Sequence, residues 1–305
     1  MNAPEFIAVG SVIIDDIVYP DGRTSMGVLG GGGTHAAYGI ALAGERAALV
    51  GLVGHDLPEE IRARLERDFD ASGLVWVEHP QLRGWQIFEW NGVRNEVFRV
   101  SVIEPFMYGP APDDSGIPFA DALGFTLLRG PDHVAAWRAR FPKATLLWEP
   151  VRIFMLSGDH DAFLSGIPHA DIVSPNLHEA QTMYGIENEL ELMRRLLADG
   201  VQIAALRMGE RGSLVARRGA GEAHYIPAVA VAELIDQTGA GNAYCGGFLV
   251  GWRRTGDVAL AGCYGAAAAS FTLEYVGCAE IPANRDAEWA RRLAEARRGM
   301  RSVRL

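Results

Sequence analysis

Seven residues in the last third of the chain, Asp236-Gln237-Thr238-Gly239-Ala240-Gly241-Asn242, have types and spacing suited to holding a phosphate. Two glycines around an alanine let successive N–H groups converge without side-chain obstruction. The small-residue helix expected over 243–252 points its positive dipole end at the same spot. Such an anion hole suits the charge that develops on a transferring phosphoryl group. An isolated Gly-x-Gly is commonly no more than a loop-to-helix turn with glycines for packing. Three acids elsewhere have chemistry to offer. Asp15, beside Asp16, carries a carboxylate suited to bidentate recognition of a diol, and could equally cap a strand end. Glu179 offers a hard oxygen that suits Mg²⁺, or is an ordinary first-turn helix acid. Glu149, in Leu147-Trp148-Glu149-Pro150, is an unusual acid at an expected strand end, from where it can face the same cleft.

The elements that must position these residues alternate. Apolar runs of strand length stand at 6–9, 47–53, 144–148, 171–174, 203–207 and 212–216, and helical patterns at 35–43, 59–68 and 190–198. In the last of these Leu190, Met193, Leu196 and Leu197 share one face. The alternation predicts a mostly parallel sheet covered by helices on both sides. Two segments break the rhythm: 13–19 and 85–102 read as antiparallel strands, the second with an Asn91-Gly92 hairpin turn. A small sheet of this kind is a natural lid over a cleft at the carboxyl ends of the core strands. Its aromatics Trp85, Phe88, Trp90 and Phe98 equally suit a dimer face. No linker, low-complexity stretch or repeat divides the chain. It reads as a single domain over 1–305, with a lid from about 11–23 and 81–103 inserted in the core.

Composition excludes several functions. Hydrophobic residues make up 49% of the 305 residues and charged ones 22%, enough apolar surface for a sizeable core. The net charge of −10, with no Lys/Arg cluster before the tail at 291–304, argues against nucleic acid as a partner. A phosphorylated ligand must therefore be attracted by backbone dipoles and a metal. Cys245, Cys263 and Cys278 are too few and scattered for a disulfide framework or a metal site, and read as buried thiols of a reducing cytoplasm. Residues 1–5 hold no basic residue, which argues against a signal peptide. The longest low-charge stretch, 259–273, is too short to span a bilayer. The expectation is a soluble cytoplasmic protein with no membrane partner.

Residues 236–242 resemble the signature DTxGAGD of the pfkB carbohydrate and nucleoside kinases. Gly30-Gly31-Gly32-Gly33-Thr34-His35, with Ala41-Leu42-Ala43-Gly44 closing its helix, resembles that family's GGxxxN…ARLG. Four further elements follow in family order. Gly10-Ser11-Val12-Ile13-Ile14-Asp15 resembles the first strand with its sugar-binding aspartate, and 50–56 the VGxDxxG element. Ser174-Pro175-Asn176-Leu177-His178-Glu179 is similar to the NxxE motif, and Arg207-Met208-Gly209-Glu210-Arg211-Gly212 to T-x-G-x-x-G. The resemblance spans about 6–282, and six ordered elements are far more specific than any one. It implies a ribokinase-like three-layer αβα core with a β-sheet lid, an ATP- and Mg²⁺-dependent phosphotransfer to a small polyhydroxylated acceptor, and a homodimer through the lid. Asp15, Gly31, Gly32, Gly33 and His35 would meet the acceptor, and Glu149, from its own place at a strand end, is expected to join them. Asn176, Arg207, Gly209, Gly212, Thr238, Ala267 and Ser270 would meet the nucleotide. Glu179 would hold Mg²⁺ through water, and Gly239, Ala240 and Gly241 would form the anion hole. A monovalent-cation site is left open, its carbonyl ligands leaving little side-chain signature.

Two positions depart from that pattern. Asn242 stands where the family has the aspartate that takes the proton from the attacking hydroxyl, and an amide cannot accept it at ordinary pH. Loss of a general base typically costs about a hundred- to ten-thousand-fold in rate while phosphate binding can persist. Another base among Asp236, Asp15 and His35, an acceptor already deprotonated, or a nucleotide-binding pseudokinase or sensor each accommodate it. His35 stands where an Asn usually contacts the sugar. Trp148-Glu149-Pro150 and 271–277 give the chain the look of a divergent pfkB branch that also carries GxGN, with similar proteins in fungi.

Overall fold

Apolar runs without polar alternation are satisfied only by burial on both faces, and the chain places its runs accordingly. The structure, a computed structural model, describes residues 4–90, 94–113 and 118–305. In chain order the first seven strands are β1 (Phe6–Val9), β2 (Ile13–Val18), β3 (Thr24–Gly30), β4 (Ala47–Gly54), β5 (Asp70–Val77), β6 (Arg83–Phe88) and β7 (Arg94–Phe98). The next seven are β8 (Gly124–Arg129), β9 (Thr145–Pro150), β10 (Ile172–Val173), β11 (Ile203–Arg207), β12 (Ser213–Arg217), β13 (Glu222–Ile226) and β14 (Arg301–Arg304). Ten of them form one sheet in the order β14-β13-β12-β11-β10-β9-β8-β1-β4-β5. From β5 to β11 every neighbour is parallel, and β12, β13 and β14 append antiparallel. Every residue of β1, β4 and β9 is buried, as crossover helices on both faces require.

The two-residue period of β1 divides its side chains between two cores. Phe6 and Ala8 enter the one covered by the helices Gly32–Leu42, Ala240–Thr255, Val258–Thr272 and Arg285–Gly299. Ile7 and Val9 enter the one covered by Pro131–Arg140, His160–Gly166, Leu177–Tyr184 and Glu189–Ala198. This is the expected αβα layering. Cys245, Cys263 and Cys278 are buried and unpaired. Among the described residues no helix is long and apolar enough to cross a membrane.

A second sheet of four strands has the order β3-β2-β6-β7. It takes in Thr24–Gly30, which lies beyond the first lid segment as read from the sequence. Its strands are not all antiparallel as expected: β2 and β6 pair in parallel, with antiparallel pairs outside them. The reason is topological. Strand β2 continues from β1 and β6 from β5, and those two core strands run in the same sense. The Asn91-Gly92 turn lies outside the described residues. Of the four aromatics suited to a dimer face, only Trp90 is exposed. Trp85 lies under Arg99, 5.0 Å from its ring centroid, Phe88 lines a cleft, and Phe98 packs against Leu82 and Phe106 between lid and core.

Candidate active site

The glycine turn sits at the first residues of the helix Ala240–Thr255. Asp236, buried just before it, accepts hydrogen bonds from the backbone N–H groups of Thr238 (2.9 Å) and Gly277 (3.0 Å), which buckles the loop to the segment after the helix Val258–Thr272. Gly239 has φ +76°, and a Cβ on it would stand 2.1 Å from the His35 ring. The turn therefore closes over a histidine, and only glycine allows both the backbone angle and the approach. His35 is buried, neither ring nitrogen has a hydrogen-bond partner among the described residues, and burial pushes its pKa down to about 4. It is neutral at pH 7 and occupies the underside of the turn.

Two cavities meet at this turn. The first, about 350 Å³, opens between the lid sheet and the core. On its lid side Asp15, in β2, accepts from Gln86 Nε2 at 2.9 Å, and the same amide donates to Glu96 at 2.8 Å. Burial raises Asp15 to about pKa 7; the Gln86 hydrogen bond pulls it back and Glu96 adds repulsion. Asp16 points the other way along the strand, where it pairs with Arg99 and accepts from the Gly27 N–H at 2.8 Å. The structural task of the Asp pair thus falls to Asp16, leaving Asp15 for the cleft.

On the core side of this cavity three elements converge. Asn242 donates from Nδ2 to Glu149 Oε2 at 2.9 Å, and Glu149 Oε1 pairs with Arg207 Nη1 at 2.7 Å. Arg207 also donates from Nη2 to the Ser174 carbonyl at 3.0 Å. Burial works against the Arg207 charge, but the adjoining carboxylates outweigh it and its pKa is raised. Glu149 is 5% exposed, a nearly buried acid satisfied by an ion pair. A Cβ on Gly241 would lie 2.2 Å from Arg207 Nη1, so the guanidinium rests directly against the glycine turn.

The second cavity, about 400 Å³, lies beyond the turn and shares Asn176, Arg207, Gln237 and Gly241 with the first. Its walls are mostly small and apolar: Val229, Ala266, Ala269 and Leu273, with Tyr244 and Ser270. Asn176 caps the helix Leu177–Tyr184 by accepting from the His178 N–H, and Glu179 in that helix's first turn lines the first cavity. Burial raises the Glu179 carboxyl, with Arg207 opposing. A more open cleft between 230–232 and the helix Arg285–Gly299 holds charges already paired with each other, such as Arg292 with Glu274.

Most expected residues fall on these two cavities: Asp15, Gly31, Gly32, His35, Glu149, Glu179, Thr238, Gly239 and Asn242 on the first, Gly209, Gly212, Ala240 and Ser270 on the second, Asn176, Arg207 and Gly241 on both. Four placements differ from the expectation. Asp236 lines neither cavity and serves the backbone. Gly33 packs on Gly10, where a Cβ would be 2.6 Å from Gly10 C. Ala267 is fully buried, and its helix neighbours Ala266 and Ala269 reach the cavity instead. Thr238 faces the first cavity rather than the second. The sequence reading missed Gln86, Arg94 and Glu96. Their signal was available: Gln86 and Phe88 alternate on one face of β6, opposite Glu96 and Arg94 in the antiparallel register.

Residues 149–284, which include Glu149, Arg207 and the glycine turn, match the pfkB family carbohydrate kinase profile. A cytidine kinase of Thermococcus kodakarensis is 27% identical over 255 residues, covering 82% of this chain and 89% of that one. The adenosine kinase of Sinorhizobium meliloti superimposes with a TM-score of 0.78 at 20% identity over 95% of this chain and 99% of its own. Arabidopsis thaliana ribokinase, solved with ribose and ATP, does so with a TM-score of 0.74 at 18% identity over 96% and 99%. Residues 149–284 thus carry the pfkB carbohydrate kinase profile across the glycine turn, and the chain shares the fold of these kinases across nearly its whole length.

Proposed function

We propose that this protein is an ATP- and Mg²⁺-dependent phosphotransferase acting on a hydroxyl of a small polyhydroxylated acceptor. One observation carries the reading: two cavities of different character meet at a glycine turn on a helix N-terminus, the arrangement that transfer between two ligands needs. The apolar cavity takes the nucleotide, with the base against Ala266, Ala269 and Leu273. The triphosphate lies on the N–H groups of Gly239–Gly241. Among the described residues no group of three His, Cys, Asp or Glu surrounds a cation position. That accords with Mg²⁺ held chiefly by phosphates and water, and Glu179, a carboxyl raised by its own burial, fits as the protein's contribution. Bound there, Mg²⁺ would neutralise phosphate charge.

The polar cavity takes the acceptor. Asp15 and Gln86 meet its hydroxyls, and Phe88 offers a face for a ring. A nucleoside fits this combination of diol-binding acid and aromatic wall, and the cytidine kinase and adenosine kinase relatives support it. The test is phosphate transfer from ATP across nucleosides, sugars and sugar acids, repeated with K⁺ exchanged for a bulky organic cation to read monovalent-cation dependence. Turnover of at least one nucleoside is expected. A protein that binds ATP and turns over none of the panel supports the second reading, a nucleotide-binding sensor, which the Asn242 amide beside the turn favours.

A further inference from the structure

Transfer to a hydroxyl needs a group that takes its proton beside the oxygen that attacks, and therefore beside the turn that holds the phosphoryl group. Four carboxylates line the first cavity: Asp15, Glu96, Glu149 and Glu179. Asp15 and Glu96 belong to the lid, bridged by Gln86. Glu179 sits in the first turn of its own helix. Glu149 is hydrogen-bonded to the residue that follows Gly241 and ion-paired to the arginine that lies against Gly241. We infer that Glu149, from the end of β9, is the proton acceptor of the transfer, held in place by Asn242 and Arg207. The inference rests on the kinase reading above.

The contacts fix the division of labour. An amide Nδ2 can only donate, so the Asn242 bond directs one Glu149 oxygen and leaves that oxygen further lone-pair capacity. Arg207 pairs with the other oxygen of the same carboxylate and presents positive charge to the turn. In the step, the acceptor oxygen bonds to the γ-phosphorus while the bond from phosphorus to the β,γ-bridging oxygen breaks. The hydroxyl proton passes to the Glu149 carboxylate, and the nucleoside diphosphate leaves with the bridging electron pair. Glu149 is the catalytic residue; Asn242 and Arg207 are positioning residues.

The experiment compares kcat and nucleotide Kd, the latter by calorimetry, for the wild type, Glu149→Gln, and the exchange variant Glu149→Gln/Asn242→Asp. Glu149→Gln should lose about a hundred- to ten-thousand-fold in kcat with nucleotide Kd unchanged. The exchange variant keeps a carboxylate–amide pair with its polarity reversed, and should recover at least about tenfold over Glu149→Gln. If Glu149→Gln does not fold, Asn242→Asp alone still reads the idea. It sets a second carboxylate against Glu149 and should move the acid limb of the kcat–pH profile upward. Wild-type kcat in Glu149→Gln, a folded exchange variant with no recovery, or an unmoved acid limb each overturn the inference while leaving the kinase reading intact. A wild type that binds ATP and phosphorylates nothing overturns the kinase reading itself, and the inference with it.

Discussion

Asp15 is the acid whose environment is most at odds with its charge, and replacing it should change stability in a pH-dependent way. Burial lifts its carboxyl to about pKa 7, from 3.8 in the unfolded chain. Between those values the folded protein holds a proton that the unfolded chain has released. Stability therefore falls as pH rises from about 4 and levels off above 7. Three units at about 1.4 kcal/mol each cap the cost at about 4 kcal/mol. About half of it, about 2 kcal/mol, accrues between pH 5.5 and 8. For a chain of this length that corresponds to about 3 °C in Tm. Asp15→Asn removes the titration, so its Tm relative to the wild type should rise by about this amount from pH 5.5 to pH 8. Calorimetry of both proteins across that range is the assay. A difference in Tm that stays constant with pH refutes the assignment of the buried charge to Asp15. In the opposite sense, acceptor binding should strengthen as the wild type is taken up through pH 7, because an ionised Asp15 accepts hydroxyl hydrogen bonds better. Asp15→Asn should raise the acceptor KM at least tenfold, the lower end of the range for a hydrogen bond to a charged group, about 1.5 kcal/mol.

Gly239→Ala forces a side chain into a left-handed conformation and against His35; nucleotide Kd should rise at least about tenfold with unchanged circular dichroism, and wild-type affinity would count against the turn as the phosphate site. Asp236→Ala leaves the Thr238 and Gly277 N–H groups without their acceptor, at about 1–3 kcal/mol each, so Tm should fall by several degrees by calorimetry; an unchanged Tm would show that the loop is held otherwise. Phe88→Ala should raise KM for nucleosides more than for free sugars in the coupled assay, and equal effects would remove the ring from acceptor recognition. Copies that pair through the lid should separate in Trp90→Ser/Val97→Ser, whose residues, with Met26, are exposed apolar ones there; a wild type that sediments as a monomer refutes the pairing.

Most of the parallel core was legible because β1, β4, β9, β10 and β11 are apolar runs; β5, partly open to solvent, and β8, an apolar run broken by Thr126 and closed by Arg129, were not read. Nor was strand β14. Arg301-Ser302-Val303-Arg304 carries charge on an exposed sheet edge, where unpaired backbone is protected by such residues and hydrophobic pattern is absent. Strand β3 escaped for a related reason, since five of its seven residues are at least partly open to solvent. At the site, the glycine turn was legible from its residues because backbone convergence is a local property. What lies under and beside it was not. His35, expected to meet the acceptor, fills the space under Gly239 and only touches the cleft, an approach between Gly32–Leu42 and Ala240–Thr255 that follows from helix packing.

The same distinction explains Asn242. In the sequence it stands as a single departure from a motif, and Glu149 as an odd acid at the end of an apolar strand. In the fold Glu149 joins them: it accepts from Asn242 and pairs with Arg207, which occupies the first position of the segment resembling T-x-G-x-x-G. An arginine placed against the glycine turn needs a carboxylate close by, because an unpaired charge at that depth would cost several kcal/mol. Glu149 supplies it. With Glu149 in place, an aspartate at 242 would set two carboxylates a hydrogen bond apart and force one to take up a proton. An asparagine avoids the repulsion and adds a donor. The three residues therefore form one electrostatic unit, and a carboxylate is still present beside the turn, carried by β9 instead of the helix that follows the glycines.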